Sequence, residues 1–445
     1  MPKRRCWNLQ PRLAALCLTA WAFSAQAVDI TVATVNNRQM IEMQKLSTHF
    51  EKANPDIRVK WTTMEEAELR QRVSADVTNK GGQFDVVTIG MYETPIWAAK
   101  GWLREITPTD AYNVKDLIPT VRDGLSYNKR LYAAPFYGEG SMTMYRSDLF
   151  EKAGLSISNR PTWEQIRDAA AKIHNPAAGV YGICLRGRAG WGDNMALLST
   201  MVNTFGGQWF DMGWRPQIQS KPWKDAISFY IQLLTQYGPP NAVANSFNEN
   251  LDLFAQGKCG IWVDATSAGG ALIDPKFSKV AHLTAFSLAP TAVTNKGAGW
   301  LWAWALAIPA SSKNADAAQR FVQWATSEPY LRLVANTNGW AAMPSGTRLS
   351  TYQRPEFTKT ARFAMTEAIA MVTANPRDAT EGKAPYVGVQ FVAIPEFQDI
   401  GELTGAEIRD ALAGKQSVDQ ALQKAQTRTE QVMRCLLYTS PSPRD

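Results

Sequence analysis

The sequence predicts an α/β protein built as two interleaved lobes. After residue 28 the chain reads strand, helix, strand, the unit of a parallel crossover. Its 445 residues exceed one ordinary core. A strand-like apolar run, Leu301 to Pro309, recurs after helical material, and no Gly/Ser-rich linker separates early from late segments. The chain is therefore expected to pass between lobes more than once.

Ile30 to Val35 is rich in β-branched residues and reads as the first strand. Met40, Met43, Leu46 and Phe50 then share one stripe of a helix that Asn54-Pro55 stops. Ile57, Val59 and Trp61 alternate with Arg58 and Lys60 as a second strand. The run Phe84 to Gly90 is short and apolar, as expected of a strand covered on both faces. A helix over Pro95 to Lys100 follows it, and Met91 to Thr94 is expected to face solvent at the strand's open end. Thr162-Trp-Glu-Gln165 forms a capping box before Ile166, Ala170 and Ile173. Asn314 is expected to cap a helix that buries Ala318, Phe321, Val322 and Ala325. Ser417 to Gln420 caps another with Val418, Ala421, Leu422 and Ala425 inward.

The termini read differently. Lys3, Arg4, Arg5 and Arg12 form a positive head, Leu13 to Phe23 an apolar segment too short to span a bilayer, and Ala25-Gln26-Ala27 a small-residue cleavage site. Residues 1–27 are thus expected to be an export signal cleaved after Ala27, rather than a membrane anchor. Removing those four cations and no acids from the formal charge of +7 leaves +3. Lys and Arg are scattered among acids, which argues against a nucleic-acid partner. Cys435 to Asp445 breaks the preceding helical pattern and reads as a non-native tail. Of five cysteines, only Cys184 and Cys259 remain in the body, where a disulfide and two buried free thiols are both open readings.

His49, His174 and His282 stand alone without metal-ligand spacing, so neither a metal nor another cofactor is expected. Gly138 to Thr143 lacks the third glycine of a dinucleotide loop and is not a nucleophile elbow. The excess lies in sixteen tryptophans. Core packing accounts for many, Trp324 among them. Those beside glycine, Trp191, Trp209 and Trp300, offer indole faces that match the C–H surface of a sugar or polyol. Hydroxyl-rich ligands also need acceptors, and carboxylates give charge-assisted bonds. Glu93, Glu139, Asp193 and Asp264 are candidates because each follows or interrupts an apolar or glycine-containing segment, a setting for strand-end loops. Structural acids are the competing reading. Arg186 and Arg188 are placed to pair with them or to donate to a ligand.

Several segments resemble the extracellular solute-binding proteins of ABC importers, carbohydrate family 1. They are Phe50 to Val59, Phe84 to Gly90, Ala134 to Glu139 with Met144 to Phe150, Phe254 to Trp262, and Ala307 to Ser312. Tyr137 to Arg146 and Gly299 to Trp304 are most similar to the sorbitol- and mannitol-binding branch. The resemblance implies a two-lobed periplasmic-binding-protein type II fold with hinge crossings and an interlobe cleft that closes on its solute. One lobe would span 28–140 plus about 290–345, the other 141–289 plus about 346–434. By the same resemblance, Asn36, Asn37, Tyr92, Glu93, Glu139, Arg188, Trp191, Asp193, Trp209, Asp264, Trp300 and Trp302 would line the ligand site. Trp304 would share the face of Trp300 and Trp302 but lie deeper.

The function so implied is a periplasmic receptor, not an enzyme. It would act as a monomer, capture a small-molecule polyol or sugar and pass it to ABC permease transmembrane subunits. A receptor for another mono- or oligosaccharide and a secreted glycoside-processing enzyme are the alternatives, since carboxylates and tryptophans also build glycosidase sites.

Overall fold

The computed structural model describes residues 27–439. The expected export signal, apart from Ala27, and residues 440–445 of the expected tail lie outside it. Eleven strands occur among the described residues: β1 Val28–Val35, β2 Ile57–Met64, β3 Val86–Ile89, β4 Ser126–Tyr127, β5 Arg130–Leu131, β6 Ala133–Glu139, β7 Ser141–Arg146, β8 Tyr181–Cys184, β9 Cys259–Ala265, β10 Thr284–Leu288 and β11 Trp302–Ala307. Strands β4 and β5 form a small hairpin; the other nine make two open sheets, ordered β2-β1-β3-β11-β6 and β10-β7-β9-β8.

The first sheet begins as the strand-helix-strand pattern requires. Strand β1 runs parallel to β2 from Val28 opposite Ile57 to Val35 opposite Met64. The connecting helix, Arg38–Ala53, buries Met40, Met43, Leu46 and Phe50. The late strand β11 enters this sheet antiparallel between β3 and β6, with both faces covered. The second sheet carries β8 and β9 side by side in parallel, and a disulfide joins their Cys184 and Cys259. Of the two readings of these cysteines, the disulfide is the one found.

Local capping is largely as expected. Thr162 and Gln165 form the reciprocal box, and Ser417 and Gln420 form another. Asn314 stands at the predicted N-cap, and the predicted apolar face is buried, but its amide turns to the Asp29 carbonyl and the Asp85 carboxylate instead of capping. The last helix runs to Thr439, past the break expected at Cys435. Met91 to Thr94 is also not the solvent-facing end that was expected. All four residues are buried: Phe391 and Phe397 pack on Tyr92, and Glu93 turns inward to Arg70.

The crossing between the sheets is abrupt. Strand β6 passes into β7 through Gly140 alone. Beside it the chain crosses near Ser345 to Thr347, where the Gly138 N–H donates to the Ser345 carbonyl at 2.9 Å. A Cβ on Gly138 would lie 2.1 Å from the Gly346 carbonyl oxygen, and Gly346 has φ +77°. Only two glycines let these strands pass so closely.

Candidate functional site

A cavity of about 320 Å³ lies between the two sheets, at the small end of the usual range for ligand pockets. From the first sheet, the loop after β1 supplies Asn36 and Asn37, and the start of the helix after β2 supplies Glu65 and Glu66, with Arg70 one turn on. Tyr137 and Glu139, two apart on β6, share a face. Trp302 and Trp304 approach along β11, and Trp300 lies just before it. From the second sheet come Arg186, Arg188, Trp191 and Asp193 after β8, then Ser246 to Glu249 and Ser267, while Gln390 enters from the C-terminal segment.

Arg70 organises one wall. Its guanidinium donates to Glu93 at 2.5 Å and to Glu66 at 2.8 Å, and it lies 4.0 Å from the ring centroid of Trp191, 4.8 Å from Trp304 and 5.1 Å from Trp302. Burial opposes the charge, but the two carboxylates more than offset it and raise its pKa. The cation thereby holds three indoles in place.

Arg186 organises the other wall. It binds Asp264 through Nε and Nη2, at 2.9 and 2.6 Å, and donates to the Gly192 carbonyl at 2.8 Å. Asp264 also accepts from the Trp262 indole and the Ala265 N–H, so its oxygens are fully engaged. Arg188 holds Glu249 at 2.5 Å.

Two buried carboxylates have no cation of their own. Glu139 accepts from the Ser267 hydroxyl at 2.6 Å, and burial pushes its pKa up to about 8 despite that bond. Asp193 accepts from Ser246, and burial, followed by the nearby Glu66 carboxylate, shifts its pKa upward. Both groups are poised to accept hydrogen bonds from a guest that replaces their lost water.

The cavity gathers eight of the twelve residues expected at the site: Asn36, Asn37, Glu139, Arg188, Trp191, Asp193, Trp300 and Trp302. Asn37 does so as a helix cap, its carbonyl accepting from Met40 N–H and its amide donating to the Tyr137 hydroxyl. The other four lie behind the lining. The Tyr92 ring backs Trp191 at 4.9 Å, and its hydroxyl bonds the Ile394 and Pro395 carbonyls. Glu93 is the counterion of Arg70, and Asp264 that of Arg186. Trp209 packs between Trp223 and Phe397, at 4.7 and 5.1 Å.

Sequence reasoning missed Glu65, Glu66 and Arg70, although they follow a strand end just as Asn36 does. Trp304 was set aside as too deep, yet it lines the cavity beside Trp302. Tyr137 and Gln390 carried no separate signal. Among the described residues, no cluster of three or more His, Cys, Asp or Glu could hold a metal ion, and no helix is long and apolar enough to cross a membrane.

Comparison with known proteins agrees with this architecture. The family model for bacterial extracellular solute-binding proteins matches residues 37–331. A mannitol-binding protein of Pseudomonas aeruginosa is 51% identical over 429 residues, covering 96% of this chain and 98% of the relative. The crystal structure of an ABC transporter solute-binding protein from Agrobacterium vitis, with bound D-mannitol, superposes with a TM-score of 0.91 at 52% identity, covering 92% of this chain and 99% of that one. A ribitol complex from Agrobacterium radiobacter shares the fold, with a TM-score of 0.81 at 23% identity over 92% of this chain and 99% of that one. With two open α/β sheets facing each other across a walled cavity, this chain belongs to the bacterial extracellular solute-binding proteins.

Proposed function

We propose that the protein is the periplasmic receptor of an ABC importer. It captures a sugar alcohol of the sorbitol or mannitol type by closing two lobes around it and presents the closed form to the permease. The observation that carries this reading is the cavity itself: indoles of Trp191, Trp300 and Trp302 to cover carbon edges, and the cation-free carboxyl groups of Glu139 and Asp193 to hydrogen-bond hydroxyls. Similarity to a mannitol-binding protein over nearly the whole chain supports the same ligand class. In this reading the lobes are 28–140 with about 290–345 and 141–289 with about 346–434. The membership of the two sheets supports that division.

The mechanism is binding alone. A guest in the open cleft exchanges water for carboxylate and amide partners, its C–H faces settle on the indoles, and the added contacts favour the closed state. A dissociation constant near 1 μM needs about 8 kcal/mol net, within reach of several charge-assisted bonds plus buried apolar area. Export with cleavage after Ala27 fits the fold, because β1 pairs with β2 from Val28 onward and a cut there leaves the ladder whole.

Titration calorimetry with mannitol, sorbitol, ribitol and maltose tests the reading. Micromolar binding of a hexitol with weaker maltose binding is expected; no heat with any polyol would overturn it. Incubation with oligosaccharides should yield no new reducing ends, as a receptor without hydrolytic activity requires.

A further inference from the structure

The donors and acceptors around the cavity are not balanced. Six acids line it, Glu65, Glu66, Glu68, Glu139, Asp193 and Glu249, against three arginines and no lysine or histidine. Each arginine already holds a carboxylate: Arg70 with Glu66 and Glu93, Arg186 with Asp264, Arg188 with Glu249. The amides of Asn36 and Asn37 are spent on Glu65 and Tyr137.

The acceptors, by contrast, are left over in excess: the Trp191 indole N–H is the one buried side-chain donor of the lining without a partner among the described residues. Glu65, Glu139 and Asp193 form no ion pair among the described residues; their side-chain partners are Asn36, Ser267 and Ser246. An independent group points the same way. Gln390 is 4% exposed, its amide nitrogen is fixed on the Leu301 carbonyl at 2.9 Å, and its Oε1 has no partner. A neutral hydroxyl brings one donor and two acceptor lone pairs to such a wall, whereas an ammonium brings three donors, a positive charge and no acceptor.

We propose that the cavity takes, beyond a neutral sugar alcohol, a polyol carrying one protonated amine, and prefers it to the neutral polyol of the same carbon skeleton. The inference rests on the polyol-receptor reading above. The ammonium sits against Glu139 and Asp193 and draws their buried carboxyl groups into the ionised form, the hydroxylated carbons against the indoles. The same imbalance excludes polyols ending in a carboxylate, which would add a negative charge where no cation is free.

The test is calorimetry of the mature protein with D-mannitol, 1-amino-1-deoxy-D-mannitol and D-mannonate at neutral pH. Tighter binding of the amine than of mannitol, and weaker binding of mannonate, is expected. An amine that binds no better than mannitol, or a mannonate that binds as well, overturns the proposal while leaving the polyol receptor standing; loss of all three overturns the receptor reading instead. Glu139→Gln keeps size and hydrogen bonding but cannot give up a proton to become the carboxylate that an arriving ammonium favours. It should reduce the ratio of amine to mannitol affinity about tenfold, the scale of a close charge pair. A ratio unchanged by both Glu139→Gln and Asp193→Asn would also overturn the proposal.

Discussion

The guanidinium of Arg70 lies 4.0 Å from the ring centroid of Trp191, and this contact spans the cleft. Arg70 stands on the helix that follows β2 in the first sheet, and Trp191 follows β8 in the second. The cation therefore ties the lobes together and sets an aromatic wall at once. Arg70→Leu leaves Glu93 buried without a counterion, which should cost about 3–5 kcal/mol of stability, read by urea denaturation. Arg70→Lys keeps the charge but not the planar fork, so its stability should fall between the two.

Asp264 gives a contrasting prediction. An acid expected to grip the ligand is instead the partner of Arg186, and Asp264→Ala strands that guanidinium in a buried site. The measurable loss should be in folding, about 3–5 kcal/mol by denaturant titration. A variant as stable as wild type would contradict the ion-pair assignment.

Gly90 sits beneath an indole of the cavity wall. A Cβ there would lie 1.8 Å from Cζ2 of Trp302, so Gly90→Ala must displace the ring. Overpacking of this kind costs about 1–3 kcal/mol. Ligand affinity should fall along with stability, as shown by calorimetry on the folded variant.

Glu139 sets a pH dependence. Burial raises its carboxyl from 4.5 to about 8 in the folded chain, so the folded state binds more protons than the unfolded state between those values. Stability without ligand should therefore fall as pH rises through that window and level off above it. Glu139→Gln should flatten this slope in melting temperature against pH; an unchanged slope would assign it to other groups.

The disulfide between Cys184 and Cys259 closes a sequence separation of 75 residues. Chain entropy gives roughly 4 kcal/mol for such a loop. A Cys184→Ser, Cys259→Ser double variant should lose stability on that scale, and dithiothreitol should have no further effect on it.

What was legible in the sequence was what depends on near neighbours. The stripe Ala318, Phe321, Val322, Ala325 and the box of Thr162 with Gln165 are fixed by periodicity and by a three-residue reach, so both could be read directly. The acids could not be sorted in the same way. Whether a carboxylate faces a guest or a guanidinium depends on what a distant segment places opposite it: Arg70 and Glu93 are 23 residues apart, Arg186 and Asp264 are 78 apart. Trp209 and Trp191 both stand near glycine and both touch Phe397, yet Trp223 closes over the first while the second stays at the cavity. Glu65 and Glu66 were within reach, since the strand-end rule that selected Asn36 applies equally to the end of β2.

The splice at Gly140 limits how the molecule can move. With one residue between β6 and β7 and a glycine crossing pressed against it, the halves cannot slide; they can only pivot. Displacement must then grow with distance from the pivot. Glu139 and Ser267, next to it, keep their spacing, while the Arg38–Asp274 ion pair and the bond from the Asn248 amide to the Asn36 carbonyl separate at the far rim. A solute captured as proposed above would meet a floor already assembled, and the last bonds to form would be the ones that shut the entrance behind it.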